Sequence, residues 1–215
     1  MTRARSLVRA GAGAAGVAAA AAAGYWGVGA AGAPPLRRVL RRSVLSRMPV
    51  GEPLLALTFD DGPDPGLTER FLAALGGTPA TFFPLGERVR RWPHLARMVA
   101  AAGHEVACHG DTHRSLAVLP PGATVDALRR AQGSIGDACG VAPRFFRPPY
   151  GTFNLAAWLA APRLGMRRTL WSAWARDWEE QATPELIAAR LLRGAAPGAI
   201  LLLHDADGSP GAPRR

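Results

Sequence analysis

Short apolar runs alternate along this chain with stretches of helical periodicity, and this restricts the fold more than any other feature. The runs are Leu54–Asp60, Ala80–Leu85, His104–Cys108, Arg144–Arg147, Met166–Ser172 and Ala199–His204. Helical patterns cover Thr68–Leu75, Glu87–Ala102, Thr124–Ala138, Leu155–Leu164 and Pro184–Arg193. Apolar runs this short, bounded by turn residues and separated by helices, read as buried strands of βα units, which build a parallel sheet. Chemically active residues then fall at strand ends: Asp60 and Asp61, His109, Arg147, Asp177 and His204. In a barrel of parallel strands all carboxyl ends open on one face, where sites are assembled, so these separate segments are expected to share one pocket.

The charge distribution narrows the partners. The formal net charge is +10, and every basic residue is arginine. Eight arginines lie in residues 1–50, which contain no acid, and Arg214 and Arg215 end the chain. Between them sixteen arginines face sixteen acids, so the part carrying the chemistry is formally neutral. No basic stripe with interleaved aromatics occurs, and nucleic acid is not an expected partner. The start reads as a targeting segment: Arg3, Arg5 and Arg9 precede an uncharged run from Ala10 to Leu36. Residues 1–36 are accordingly expected to be a signal peptide or an N-terminal membrane anchor, with a disordered arm as the plainer alternative. Either leading reading places the domain outside the cytoplasm, secreted or held at the outer face of the membrane. Residues 37–51 read as a basic linker, 52–207 as the folded domain and 208–215 as a disordered tail. Cys108 lies in an apolar run and Cys139 offers no disulfide framework with it, so free thiols are expected.

Each motif has a plain reading and a chemical one. His109 and His113, four apart in CHGDTH, suit a capping or surface pair, but also two imidazoles aimed at one metal. Asp60–Asp61 in TFDDG suits an acidic turn. It also suits a pair in which one carboxylate binds metal and its neighbour acts as a base, since adjacent strand side chains point opposite ways. RPPYG, from Arg147 to Gly151, is a stiff connector that can hold Arg147 and the Tyr150 amide in place. His204 closing LLHD is either a cap or a proton donor.

The order TFDDG, HxxxH, RPPYG, DW, LLHD, each after a strand, with ATFF and GHEVACH around it, resembles the NodB-homology polysaccharide deacetylases, carbohydrate esterase family 4. The resemblance runs from about Leu54 to Asp205. It implies an α/β fold, a deformed (β/α) barrel, and one divalent metal, zinc first, with cobalt or manganese as alternatives. It places Asp61, His109 and His113 on the metal ligands, Asp60 on the general base and His204 on the general acid. Arg147 falls on the residue that holds the base, the Tyr150 amide on the oxyanion position, and Trp178 and Leu202 on the acetyl pocket. The implied activity is removal of N-acetyl or O-acetyl groups from an extracellular polysaccharide by a monomer. The alternatives are a catalytically impaired glycan-binding relative and a hydrolase of another C–N bond. One departure stands out: the family has an aspartate shortly before the DW tryptophan, where WSAWARDW places Trp174 and Arg176 and leaves Asp177 as the only carboxylate. Tuning of His204 is therefore in question. The family's last helix and strand are expected to be missing, which would leave Ala199–Leu203 as an exposed apolar edge.

Overall fold

The computed structural model describes residues 43–49 and 54–206. The targeting segment, the tail and most of the linker lie outside them. Among the described residues no helix is long and apolar enough to cross a membrane.

The strands are β1 (Ala56–Asp60), β2 (Thr81–Phe83), β3 (Glu105–Val106), β4 (Phe145–Phe146), β5 (Arg167–Arg168), β6 (Ala173–Trp174) and β7 (Ile200–His204). The helices are α1 (Leu67–Leu75), α2 (Gly86–Arg91), α3 (Pro93–Ala101), α4 (Pro121–Cys139), α5 (Leu155–Arg163) and α6 (Pro184–Gly194). Five strands form one parallel sheet in the order β3-β2-β1-β7-β6, and β4 and β5 pair separately, also in parallel. A parallel bridge from Cys108 to Phe146 joins β3 to β4. Parallel strands with helices packed over them give the expected deformed α/β barrel.

Period-two alternation on β1 decides what faces where. Phe59 turns outward and packs on Phe71 and Phe82, each with ring centroids 4.9 Å away. The residues between, Thr58 and Asp60, face the barrel interior, where both meet Arg147. The outer layer, with Val89, Val99, Leu128 and Ile135 on the helices, is buried. Burial of such side chains is worth roughly 1.5–3 kcal/mol each, an upper figure before chain entropy is counted.

Four details correct the sequence reading. The single helix expected over Glu87–Ala102 is two helices, because Trp92 adopts φ −134° ahead of Pro93, the first residue of α3. A residue before proline is pushed out of helical geometry, and proline suits a first helical turn. The fifth expected strand, Met166–Ser172, is shorter than expected: only Arg167–Arg168, β5, forms a strand and pairs with β4, while a further strand not expected from the sequence, β6, starts just past Ser172 and pairs with β7. Residues 43–49 do not act as a free linker. Val44 is buried, Leu45 bridges Thr169, and Arg47 bridges Ala199, tying this segment across the division between β5 and β7. Finally, β7 is not an exposed edge. It lies between β1 and β6, with Ile200, Leu201 and Leu202 buried, because β6 takes the flank that the sequence reading left open. Both cysteines are free, as expected.

Candidate active site

The carboxyl ends of β1, β3, β4 and β7 and the segment after β6 bring the expected residues together. Asp60 and Asp61 take different directions because the backbone turns between them. Asp60 is the last residue of β1 and keeps the inward strand orientation. Asp61 has φ 77°, a left-handed conformation that aspartate tolerates better than most residues. Its carboxylate lies 3.3 Å from Nε2 of His109 and 3.3 Å from Nε2 of His113. Burial alone would raise the Asp61 carboxyl. The hydrogen bond and charge of His109, with His204 and His113, outweigh that and hold it well below the usual carboxylate range.

His109 is oriented from behind. Its Nδ1–H donates to the Arg147 carbonyl at 2.9 Å, which turns Nε2 toward Asp61. A metal-binding histidine needs this arrangement, one nitrogen free and the other fixed by an outer acceptor. One donor atom each from Asp61, His109 and His113 lies within 4.8 Å of the other two. Two neutral imidazoles and a carboxylate match an open divalent site with room for further ligands, so these residues fit such a metal. Burial lowers the pKa of His113, which favours the neutral ring that ligation requires.

Asp60 belongs to a second cluster. Arg147 is fully buried, and its Nη1 donates to Asp60 Oδ1 at 2.5 Å and to Thr58 Oγ1 at 2.9 Å. Its Nη2 donates to the Leu170 carbonyl at 3.2 Å, and its Cζ sits 4.0 Å from the centroid of the Phe83 ring. Burial lowers the Arg147 pKa, and Asp60 acts against that shift. A buried ion pair of this kind holds its carboxylate in one place, and loss of either partner strands the other.

His204 stands at the register position beside Asp60, where β7 pairs with β1. Asp177 accepts from the His204 backbone amide and bonds its Nδ1, both at 2.8 Å. Burial would lower the His204 pKa, but Asp177, with Asp61 and Asp60, raises it to about 9. Asp177 supplies a carboxylate to His204, because the chain between β6 and α6 turns it back onto the end of β7. Trp178 stands edge-on to His204 at 5.2 Å. Leu202 is buried, in register between Thr58 and Trp174. Tyr150 has φ 59°, lies 55% exposed at the mouth, and packs 4.6 Å from His113.

Two buried acids were not singled out from sequence. Asp111, between the two histidines, pairs with Arg90 at 2.7 Å and Arg130 at 3.1 Å, which ties the histidine loop to α2 and α4. Asp205 accepts from Gly62 N at 3.1 Å and Thr68 Oγ1 at 2.7 Å, and its own amide donates to the Asp60 carbonyl at 3.1 Å. Burial raises the Asp205 pKa to about 7. The only sequence signal was their presence inside HGDTH and LLHD; their burial depends on distant segments. A Cβ at Gly62 would fall inside the Asp205 carboxyl group. Gly62→Ala is therefore expected to cost about 1–3 kcal/mol, as overpacking does. Thermal melting checks this, and an unchanged midpoint would show that the loop yields freely.

Known proteins resemble this chain in sequence and in fold. The family model described as "Polysaccharide deacetylase" matches residues 47–169. The chain is 39% identical over 152 residues to a chitooligosaccharide deacetylase of a Bradyrhizobium strain, covering 69% of each chain. A crystal structure of a peptidoglycan N-acetylglucosamine deacetylase superposes with TM-score 0.75 at 28% identity, over 83% of this chain and 82% of that one. A carbohydrate esterase family 4 pseudoenzyme from Bacillus anthracis superposes with TM-score 0.70 at 27% identity, over 75% of this chain and 58% of that one.

Proposed function

Because this chain belongs to the polysaccharide deacetylase family, we propose that it hydrolyses the N-acetyl group of an amino sugar in a polysaccharide such as peptidoglycan or a chitin oligomer. The observation that carries the reading is the division of labour between adjacent carboxylates. Asp61 faces His109 and His113, Asp60 is held apart by Arg147, and His204 stands across from both with Asp177 behind it.

Asp61, His109 and His113 would hold one divalent metal, and zinc suits their donor set best. When bound, the metal supplies a Lewis acid that polarises the amide carbonyl and makes water more acidic. Asp60, fixed by Arg147, takes the proton from the attacking water. The Tyr150 amide, at the pocket mouth, donates to the oxygen that becomes negative as the carbonyl carbon turns tetrahedral. His204 gives its proton to the departing sugar nitrogen, an amide nitrogen being a poor leaving group until protonated. Trp178 and Leu202 bound the space for the acetyl methyl. Acetate and a free amine result. An O-acetyl ester follows the same steps, with less need for the acid. The test is acetate release by the full chain from peptidoglycan, chitin oligomers and acetylated xylan, with and without a chelator. Release from none of them, with metal restored, would sink the reading.

The His204–Asp177 pair gives a pH prediction. A histidine whose pKa is raised keeps its proton through neutrality and loses it as pH rises through about 9. Its contribution to stability has the same sign, full below the unfolded value and lost on the alkaline side. Activity that depends on the protonated ring should show an alkaline limb. In Asp177→Asn that limb is expected at lower pH, with activity near pH 8 reduced most. A pH–rate profile whose alkaline limb does not move would remove Asp177 from this role.

A further inference from the structure

The turn that carries Asp60 and Asp61 is held from two sides. On one side is the end of β2, where Asp61 N donates to the Phe83 carbonyl at 3.2 Å and Leu85 N donates to the Gly62 carbonyl at 2.9 Å. On the other is a single residue, Asp205, the first after β7. Its amide donates to the Asp60 carbonyl at 3.1 Å, just past the register pair of Asp60 and His204. Its carboxylate accepts from Gly62 N at 3.1 Å and from Thr68 Oγ1 at 2.7 Å. The Thr68 hydroxyl in turn accepts from Asp64 N at 2.8 Å. Asp205 therefore grips the backbone before Asp61, after it, and two residues further on through Thr68.

Two features separate this from an ordinary polar contact. Asp61 lies between the gripped residues at φ 77°, a left-handed conformation that persists in a residue with a side chain only where the surroundings enforce it. Asp205 is 1% exposed, and the partners of its carboxylate are an amide and a hydroxyl, both neutral. Burying a carboxyl group on neutral partners is costly, so a residue needed only to fill space there would be apolar.

We propose that Asp205 is a positioning residue for the reacting centre. Through Gly62, Thr68 and the Asp60 carbonyl it aims the Asp61 carboxylate at His109 and His113 and keeps Asp60 in register beside His204. The inference rests on the metal ligands named in the deacetylase reading and adds the group that sets their geometry. Loss of Asp205 releases the turn, and the effect falls on metal affinity and kcat. KM stays nearly constant, because a buried Asp205 cannot touch the sugar.

The test measures zinc affinity by titration calorimetry in wild type, Asp205→Ala, Thr68→Val and Met166→Ala, with melting curves and acetate-release kinetics on the same samples. Met166 is fully buried just before β5, at the amino ends of the strands, so its variant lowers stability away from the turn. Asp205→Ala is expected to weaken zinc binding about tenfold or more, and at saturating zinc to lower kcat about tenfold with KM within about twofold. Thr68→Val, which removes one hydrogen bond of the set, is expected to weaken zinc binding about threefold. Met166→Ala is expected to leave zinc affinity unchanged. Equal zinc affinity in wild type and folded Asp205→Ala would overturn the role. Equal weakening in Met166→Ala would overturn it too, by making the effect one of stability alone. Should Asp205→Ala not fold, Thr68→Val decides in its place, and wild-type affinity there overturns the proposal. A wild type that binds zinc but releases no acetate fails the deacetylase reading alone, and the zinc affinities still decide the positioning role. A wild type that binds no zinc removes the ligand set and this inference with it.

Discussion

Asp60→Asn is expected to lower turnover by about 10²–10⁴-fold, the range of a general base, while the protein still binds its metal. The substitution keeps the shape of the side chain but removes the group that accepts the water proton. The three proposed ligands, Asp61, His109 and His113, are untouched. A second effect must be separated. Arg147 is fully buried and pairs with Asp60 at 2.5 Å, so a neutral partner leaves that charge poorly compensated. Breaking a buried pair costs about 3–5 kcal/mol, enough to destabilise a domain. Melting and activity measured on the same sample distinguish the two. A protein that is mostly folded cannot lose activity by orders of magnitude through unfolding. Wild-type turnover in folded Asp60→Asn would end the base assignment, and loss of metal would make Asp60 a ligand instead.

His113→Ala should act in the opposite way, removing metal and activity together. The imidazole is one of three donors, and loss of an outer-shell partner alone typically weakens a site about 10–100-fold, so loss of a ligand should exceed that. Metal content after dialysis reads the effect without any assay of turnover. His113 also packs on Tyr150, so its removal loosens the turn that presents the Tyr150 amide. Full metal and full turnover in this variant would refute the ligand set. Together the two variants divide TFDDG and HxxxH into separate roles. One gives a metal-loaded protein that is nearly inactive, the other a protein that fails to load.

What was legible in the sequence was local or periodic. Alternating apolar and helical stretches announced βα units, and strand-end polarity announced a shared pocket. The ordered motifs pointed to Asp60, Asp61, His109, His113, Arg147 and His204, and the structure brings all of them to one end of the barrel. Elements were read less well where the code is not periodic. Trp92–Pro93 broke one helix into two, and β6, just past the expected fifth strand, was not foreseen.

Which residues could do chemistry was legible along the chain, because a strand end followed by a turn exposes its side chains whatever else the chain does. Which of them act together depended on long-range packing. Asp60 and Arg147 are 87 positions apart and His204 and Asp177 are 27 apart, and nothing local links either pair. Asp61 is turned from its neighbour by one left-handed residue. Asp177 reaches His204 only because the chain folds it back onto β7. Asp205 and Asp111 became structural when burial left each needing partners, a cost that depends on surrounding packing and not on the identity of the residue.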